Sequence, residues 1–349
     1  MPEKINAGVV GFGLSGKVFH APFLQVSPCF RLHTIVSSGT EAKSRYPAAR
    51  VTNSFDELLS DLAVGLVVLC TPHHLHAGQA IRALEAGKHV VVEKPVAMSS
   101  VEMEQVMIAA QKTGKLVFPY HNRRWDGDFM TLRQLIAEGS LGEVLDFESH
   151  FDRYQPEVSR AEWRYVNENG GGTLFDLGPH LIDQAVCLFG KPEAVWCRLL
   201  FQRPGSKVND SFELKLFYPK TMATLRAGIF VREPGPRFQV HGTLGSFLKF
   251  GLDTQEAVLK NGKMPEGKKF GAEPQKKYGM LHSVAQQEAI RKKIPTIPGR
   301  YMGFYDNVYE TITGKGQQEV AADDALLNLQ IIETAIMSHN EKRIINLTD

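Results

Sequence analysis

Short runs that are apolar at almost every position punctuate the first third of the chain. They fall at Ile5–Val10, Arg31–Val36, Gly65–Cys70, His89–Val92 and Leu116–Tyr120, plainest in Leu66-Val67-Val68-Leu69 and Val90-Val91-Val92. A strand reads this way when both of its faces are covered, as in a parallel sheet flanked by helices. Helical patterns lie between the runs, over Gly16–Gln25, Ser54–Leu62, His76–Ala86 and Ser99–Thr113. Ser99 stands where an N-cap belongs, and Gly114 where a left-handed C-terminal residue belongs. Strand and helix in this alternation predict βαβ units.

Past Tyr120 the pattern changes. Val144–Phe151, Ala194–Gln202, Ser211–Tyr218, Met222–Phe230 and Phe238–His241 are longer, partly alternating runs joined by Pro/Gly turns. That pattern predicts a mostly antiparallel sheet with one covered face. Helices are expected at Phe129–Glu138, Pro179–Phe189 and Asp323–His339. The expected organisation is an N-terminal α/β domain, residues 1–121, followed by an α+β domain, residues 122–349, with a large, mostly antiparallel open sheet.

Composition adds exclusions. At 349 residues the chain is too long for one ordinary core. Lys and Arg total 40 against 38 Asp and Glu, so no surplus of positive charge points to nucleic acid. The Lys-rich stretch Lys260 to Lys277 is broken by Gly and Pro and reads as a solvated loop. Cys29, Cys70, Cys187 and Cys197 show no C-x-x-C spacing, which suits free thiols in a reducing compartment. The N-terminus runs straight into a strand, and no apolar run approaches the ~20 residues that span a bilayer. The expectation is a cytoplasmic protein whose partner is a small molecule, neither nucleic acid nor membrane.

The first strand runs into Gly11-Phe12-Gly13-Leu14-Ser15-Gly16, and a helix follows. In that context G-x-G-x-x-G marks a dinucleotide-binding Rossmann unit. Gly11 permits the tight turn, Gly13 with Leu14 lets backbone approach the pyrophosphate, and Gly16 allows close helix–strand packing. The second strand sets the nucleotide. It ends in Ser37-Ser38 with no acid until Glu41, and Lys43 and Arg45 follow. Hydroxyls and cations there suit a 2′-phosphate, favouring NADP, while Glu41 leaves NAD open. Thr71 and Pro72, after the next strand, would border the nicotinamide. His73, His74 and His76 lack a second ligand cluster at metal spacing, so no metal is expected.

Glu93-Lys94-Pro95 follows the strand His89–Val92, at the carboxyl end that faces the ligand crevice in open α/β sheets. Lys94 can present a charged donor to substrate, and Pro95 keeps it from helical geometry and allows a cis bond. Farther on, Asp176 precedes Pro179-His180. If Pro179 opens a helix, His180 lies in its first turn, where the dipole disfavours imidazolium and a neutral general base results.

Gly11-x-Gly13-x-x-Gly16, Glu93-Lys94-Pro95 and Asp176-x-x-x-His180, in this order, resemble the Gfo/Idh/MocA oxidoreductases over essentially the whole chain. The resemblance implies a Rossmann domain followed by an α/β domain whose open sheet often serves dimerisation. It further implies that Lys94 contacts the reacting hydroxyl, Asp176 binds substrate and His180 transfers the proton. Phe19-His20-Ala21-Pro22, His121 to Asp126 and Glu148 to Arg153 are similar to the branch containing NADP-dependent scyllo-inositol dehydrogenases. Asn122, Tyr154 and Arg164 are then candidates for contacting a polyol, which requires many fixed donors and acceptors.

The expected activity is hydride transfer between NADP(H) and a secondary alcohol or ketone of a cyclic polyol or sugar, in a homodimer or homotetramer. Two alternatives stay open: a regulator that senses dinucleotide without turnover, as one yeast member of the family does, and a reductase of a non-sugar substrate.

Overall fold

A computed structural model of the chain describes residues 3–157, 170–267, 269–285 and 288–347. The chain divides into two compact units. The first comprises Met1–Asn122, Gln255–Phe270 and Arg300–Leu326; the second comprises Arg123–Thr254, Gly271–Gly299 and Leu327–Asp349. The first unit thus draws two later segments of the chain into the fold that the opening residues begin.

Six strands form the sheet of the first unit among the described residues: β1 (Ile5–Val10), β2 (Phe30–Val36), β3 (Arg50–Thr52), β4 (Leu66–Leu69), β5 (His89–Val92) and β6 (Val117–Pro119). Their order is β3-β2-β1-β4-β5-β6, all parallel. This is the doubly wound order, which reverses direction between β1 and β4 and opens a crevice at the strands' carboxyl ends. Every residue of β4 is buried, as an all-apolar strand covered on both faces must be. The Ser100–Thr113 helix begins as its sequence directs, with the Ser99 side chain accepting from the Glu102 amide. It ends at Gly114, φ 64°. The three-residue β3 escaped the sequence reading because it is too short to carry a period.

In the second unit β7 (Val144–His150), β8 (Ala194–Leu200), β9 (Ser211–Phe217), β10 (Met222–Gly228), β11 (Phe238–Gly242), β12 (Gly245–Lys249), β13 (Gly279–Ala285), β14 (Glu288–Ile294) and β15 (Ile345–Asn346) form one sheet. Its order is β14-β13-β12-β11-β7-β10-β9-β8-β15, antiparallel except where β7 meets β10. One face is the core. Phe147, Leu214, Leu216, Leu225, Phe238 and Phe247 pack there with helical Leu174, Leu181, Ile182 and Ile331. Each fully buried side chain of this kind stabilises by about 1.5–3 kcal/mol relative to exposure. The other face is half-buried and polar: Arg226 pairs with Glu213 and Glu148, and Lys215 lies over the Trp196 ring. The strand β14 had no apolar signature because it is the sheet's edge, where exposed Arg291, Lys292 and Lys293 discourage further pairing.

One expectation is corrected. The helix does not open at Pro179; it runs Thr173–Phe189 with Pro179 inside it. Its first amides are satisfied from outside: Thr173 N donates to the Asn209 carbonyl (2.9 Å), and Leu174 N to Asn209 Oδ1 (2.8 Å). The cap therefore comes from a residue remote in sequence, and Pro179 merely leaves the Phe175 carbonyl without its usual helical donor. Gly172 turns the chain into the helix at φ 93°, where a Cβ would stand 2.7 Å from Asn209 Nδ2.

Candidate active site

In the first unit the glycine turn has the shape that a dinucleotide needs. Gly11 adopts φ 94°, and a Cβ there would meet the Cys70 carbonyl oxygen at 2.7 Å. A Cβ on Gly16 would run into the Gly11 carbonyl oxygen, whereas one on Gly13 would meet nothing within 4 Å. The outer two glycines thus close the turn on itself and on the end of β4, and the middle one leaves bare backbone facing open space. That combination fits a pyrophosphate approaching the start of a helix. Leu14 is half exposed at the same turn. The helix then passes through a π-turn, Gly16–His20, before continuing as Ala21–Val26. Pro22 lacks the N–H that the Val18 carbonyl would otherwise receive, and an extra residue in the turn accommodates the loss.

At the end of β2, Gly11 N donates to the Val36 carbonyl (3.0 Å), so this strand end adjoins the turn. Ser37 Oγ accepts from Gly39 N (3.2 Å), and Ser38 and Lys43 are exposed. Glu41, the acid that keeps NAD open, is ion-paired with Lys17 from the helix after the glycine turn. Sequence spacing gave no hint of that pairing.

The ends of β4 and β5 are stitched together. His76 lies between two carbonyls, with Nε2 2.7 Å from Thr71 O and Nδ1 2.8 Å from Pro95 O. Burial pushes its basicity down, opposed by those same carbonyls. The Lys94–Pro95 bond is cis. Glu93 is anchored three ways: Ser15 Oγ of the glycine turn donates to Oε1, His20 Nε2 stands 3.0 Å from the same oxygen, and Lys94 N donates to Oε2 (3.1 Å). Burial alone would raise its pKa, but the hydrogen bonds and charge of His20, with Ser15 and Lys94, bring it down to about 2. Glu93 is therefore a carboxylate at any ordinary pH. Glu93 and Lys94 are thus tied to the glycine turn, and Thr71 to the cis turn at Lys94–Pro95 through His76.

In the second unit Asp176 and His180 are four residues apart on the Thr173–Phe189 helix, hence on one face. Asp176, in the first turn, has Arg153 Nη1 3.6 Å away. His180 is buried and meets the Phe151 ring edge-on, centroids 6.1 Å apart. It lies about two turns into the helix, so the dipole of the N-terminus does not act on it as the sequence reading expected. One turn further, Asp183 takes a two-pronged ion pair from Arg124, with bonds of 3.0 and 2.6 Å, and Gln184 donates to the Arg123 carbonyl (2.9 Å). The buried Arg237 completes the network. It donates to Gln184 Oε1 (2.6 Å) and Ser149 Oγ, lies 3.7 Å from Asp128 Oδ2, and its guanidinium stands 4.0 Å from the centres of the Phe151 and Phe238 rings.

Of the polyol candidates, Asn122 is buried at the end of Met1–Asn122, and Tyr154 is exposed with Arg232 stacked 4.1 Å above its ring. Arg164 lies outside the described residues. Sequence reasoning missed Ser15, His20, His76, Arg153 and Arg237 as contributors. Ser15, His20 and Arg153 had a local signal, in the glycine motif and in the segments Phe19-His20-Ala21-Pro22 and Glu148 to Arg153.

A doubly wound parallel sheet with this glycine turn, joined in one chain to a second unit built on a nine-stranded sheet, defines a dinucleotide-dependent oxidoreductase. Residues 5–121 match the model of the GFO_IDH_MocA oxidoreductase family, NAD-binding Rossmann fold, and residues 133–347 match that family's C-terminal alpha/beta domain. The chain belongs to this family. It is 40% identical over 346 residues to the scyllo-inositol 2-dehydrogenase (NADP(+)) IolW of Bacillus subtilis (strain 168), covering 99% of this chain and 96% of that protein. The oxidoreductase YdgJ of Escherichia coli (strain K12) is 38% identical over 339 residues, covering 97% of each. A solved oxidoreductase structure from Bacteroides fragilis superposes with a TM-score of 0.91 at 43% identity, covering 99% of this chain and 100% of that one.

Proposed function

We propose that the protein interconverts a secondary alcohol and a ketone on a cyclic polyol or sugar of the inositol type, with NADP(H) as redox partner. The nicotinamide, when bound, accepts or supplies the hydride. Lys94 holds the reacting oxygen and offsets its negative charge, His180 takes the hydroxyl proton, and Asp176 binds a neighbouring hydroxyl. Asn122, Tyr154 and Arg164 contribute further polyol contacts.

The bond from Ser15 to Glu93 carries this reading. It ties the turn that presents Lys94 to the turn that would receive the pyrophosphate, so the lysine belongs to the dinucleotide end of the sheet. The Asp176–His180 pair on one helix face supports an acid–base role independently. The preference for NADP rests on Ser37, Ser38 and Lys43 at the end of β2, and on the engagement of Glu41 by Lys17, which reduces its repulsion of a 2′-phosphate. The inositol class is supported by the similarity to the Bacillus subtilis enzyme. Assembly into a homodimer or homotetramer belongs to the same proposal, and light scattering in solution reads it directly.

A steady-state screen of inositols, aldoses and ketoses with NADP(H) and NAD(H) in parallel tests the reading. Turnover of scyllo-inositol or a close stereoisomer, faster with NADP+, is expected. Stoichiometric NADPH binding with no turnover across the panel would instead favour a sensor.

A further inference from the structure

His20 sits at the end of the π-turn with its ring fully buried, and neither the glycine motif nor the proposed chemistry uses it. Its two nitrogens face different groups within the first unit: Nε2 is 3.0 Å from Glu93 Oε1, and Nδ1 is 2.6 Å from Tyr305 Oη. The proton positions follow from the partners. Glu93 is ionised and can only accept, so Nε2 must carry a hydrogen. In a neutral ring Nδ1 then accepts from the Tyr305 hydroxyl, and in a charged ring it donates to the Tyr305 oxygen; Nε2 donates to Glu93 in both. Burial raises the Tyr305 pKa well above the ordinary phenol value, with Tyr120, Cys70 and Glu93 adding to the effect, so the phenol keeps its hydrogen. In either form Tyr305, His20 and the carboxylate that also receives the Lys94 amide stand in one hydrogen-bonded row, with Nε2 the donor to Glu93. Around this row of hydrogen bonds the Tyr120 ring lies 4.2 Å from the imidazole, tilted by 48°, and Phe304 meets Tyr120 edge-on at 4.8 Å, so the histidine is closely packed.

We propose that His20 is a positioning residue: by donating from Nε2 it holds the Glu93 carboxylate in the orientation that accepts the Lys94 amide, and so fixes the turn from which Lys94 meets substrate. This rests on the reading of Lys94 given above. Without the donor, Glu93 keeps Ser15, the Lys94 amide and the Lys94 charge against full burial, and its pKa rises. The other ionisable groups that face it are Lys94 itself, Cys70 at the end of β4, His76 on the helix after β4, and Tyr305 on Met302–Ile312. Cys70 and Tyr305 are driven towards their neutral forms by burial, and burial lowers the His76 pKa, so carboxyl carbon-13 NMR of a variant without the donor assigns a new acid-side titration to Glu93 or to His76.

Two substitutions separate positioning from packing, because a glutamine amide reaches the place of Nε2 and an asparagine amide only that of Nδ1. With scyllo-inositol and NADP+, His20→Gln should keep kcat within about threefold. His20→Asn should lose about 10- to 100-fold in kcat, the range of one charge-assisted hydrogen bond, with KM and the NADPH dissociation constant nearly unchanged. His20→Asn should also gain an acid-side titration in kcat beyond the one that protonation of the proposed base His180 gives wild type and His20→Gln. Lys94→Ala is run beside them. If Lys94→Ala keeps wild-type kcat, the reading of Lys94 fails. If Lys94→Ala is inactive while His20→Asn matches His20→Gln, the positioning role is overturned and the reading of Lys94 stands. A readout on the unliganded wild-type protein needs neither turnover nor a variant. Nitrogen-15 NMR near neutral pH should show His20 protonated at Nε2, and carboxyl carbon-13 NMR should show Glu93 ionised well below pH 4. A bare Nε2, or a Glu93 titrating at an ordinary carboxylate pH, overturns the proposal.

Discussion

In the first unit the residues proposed for chemistry sit at the ends of short parallel strands, and their partners are the ends of neighbouring strands. Lys94 follows the four residues of β5, and Glu93 reaches Ser15 just beyond β1. In the second unit Asp176 and His180 ride on one helix of 17 residues, capped by Asn209 and held along its inner side by Gln184, Asp183, Arg124 and Arg237. A doubly wound sheet gathers its strand ends by topology alone. A helix laid on an antiparallel sheet can rotate or slide unless something specific stops it, and buried ion pairs and amides serve that end at a cost in desolvation. Substitutions at the proposed chemistry of the first unit should therefore strike activity and leave folding alone, whereas those beneath the helix should strike both.

The largest expected effect is on turnover. Lys94→Ala and His180→Ala should each lower kcat by about 10³-fold, within the range of a lost acid–base or electrostatic contribution, with NADPH affinity in a fluorescence titration nearly unchanged. Only His180→Ala, buried against Phe151, should also lower the thermal midpoint; equal losses in both variants would erase the contrast between the units. Next, Arg237→Ala should destabilise the fold by about 3–5 kcal/mol in urea unfolding, because it strands buried Asp128 and Gln184. A loss near zero would mean that the helix does not depend on Arg237 and is held by apolar packing with the Arg124–Asp183 pair. Asn209→Ala should cost about 1–2 kcal/mol and speed hydrogen exchange at Leu174 N, while Asn209→Asp, which keeps an acceptor, should cost less.

The smallest effects set the units at opposite ends of the pH scale. Glu93 has its pKa depressed from 4.5 to about 2, so its contribution is complete above about pH 4.5 and is lost as pH falls through 2. His150 on β7 would be lowered by burial, but hydrogen bonds to Asp152 (2.9 Å) and Glu148 (2.8 Å) raise it overall. Its contribution is complete below about pH 6.5 and is lost as pH rises through the elevated value. Hydrogen exchange corrected for intrinsic rates should show β5 loosening on the acid side and β7 on the alkaline side. Loosening of both at one end would refute the assignment.

The same difference explains what could be read from residues alone. β1, β4 and β5 announce themselves because burial on both faces demands apolar residues throughout, and Gly11 and Gly16 because the closed turn admits no Cβ at either. Lys94 was legible because it stands directly after such a strand. The start of the second unit's helix was not legible, since the local rule that places proline at a helix's first position was overruled by Asn209, a residue contributed from across the sheet connection. Arg237 and Gln184 were hidden for a related reason: a polar side chain looks solvent-exposed in sequence until its remote partners are known. His20 fell between the two cases, adjacent to a motif but functional only through Tyr305 and Glu93.

The lone parallel contact of the large sheet bears on how the second unit comes to fold. β7 pairs with β10 from Asp146 opposite Met222 to His150 opposite Arg226, and everything between them in sequence, including the helix that bears Asp176 and His180, has to be traversed first. The meander β8-β9-β10 can zip up locally, because its hairpins need little loop closure. The expected order is the meander first and β7 after it, because the pairing of β7 with β10 closes the longer loop. Pairings of such high sequence separation slow folding and leave apolar edges open in the interval. On the ribosome, β7 emerges well before both of its neighbours in the sheet, β10 and β11, so its edges stay open over that interval.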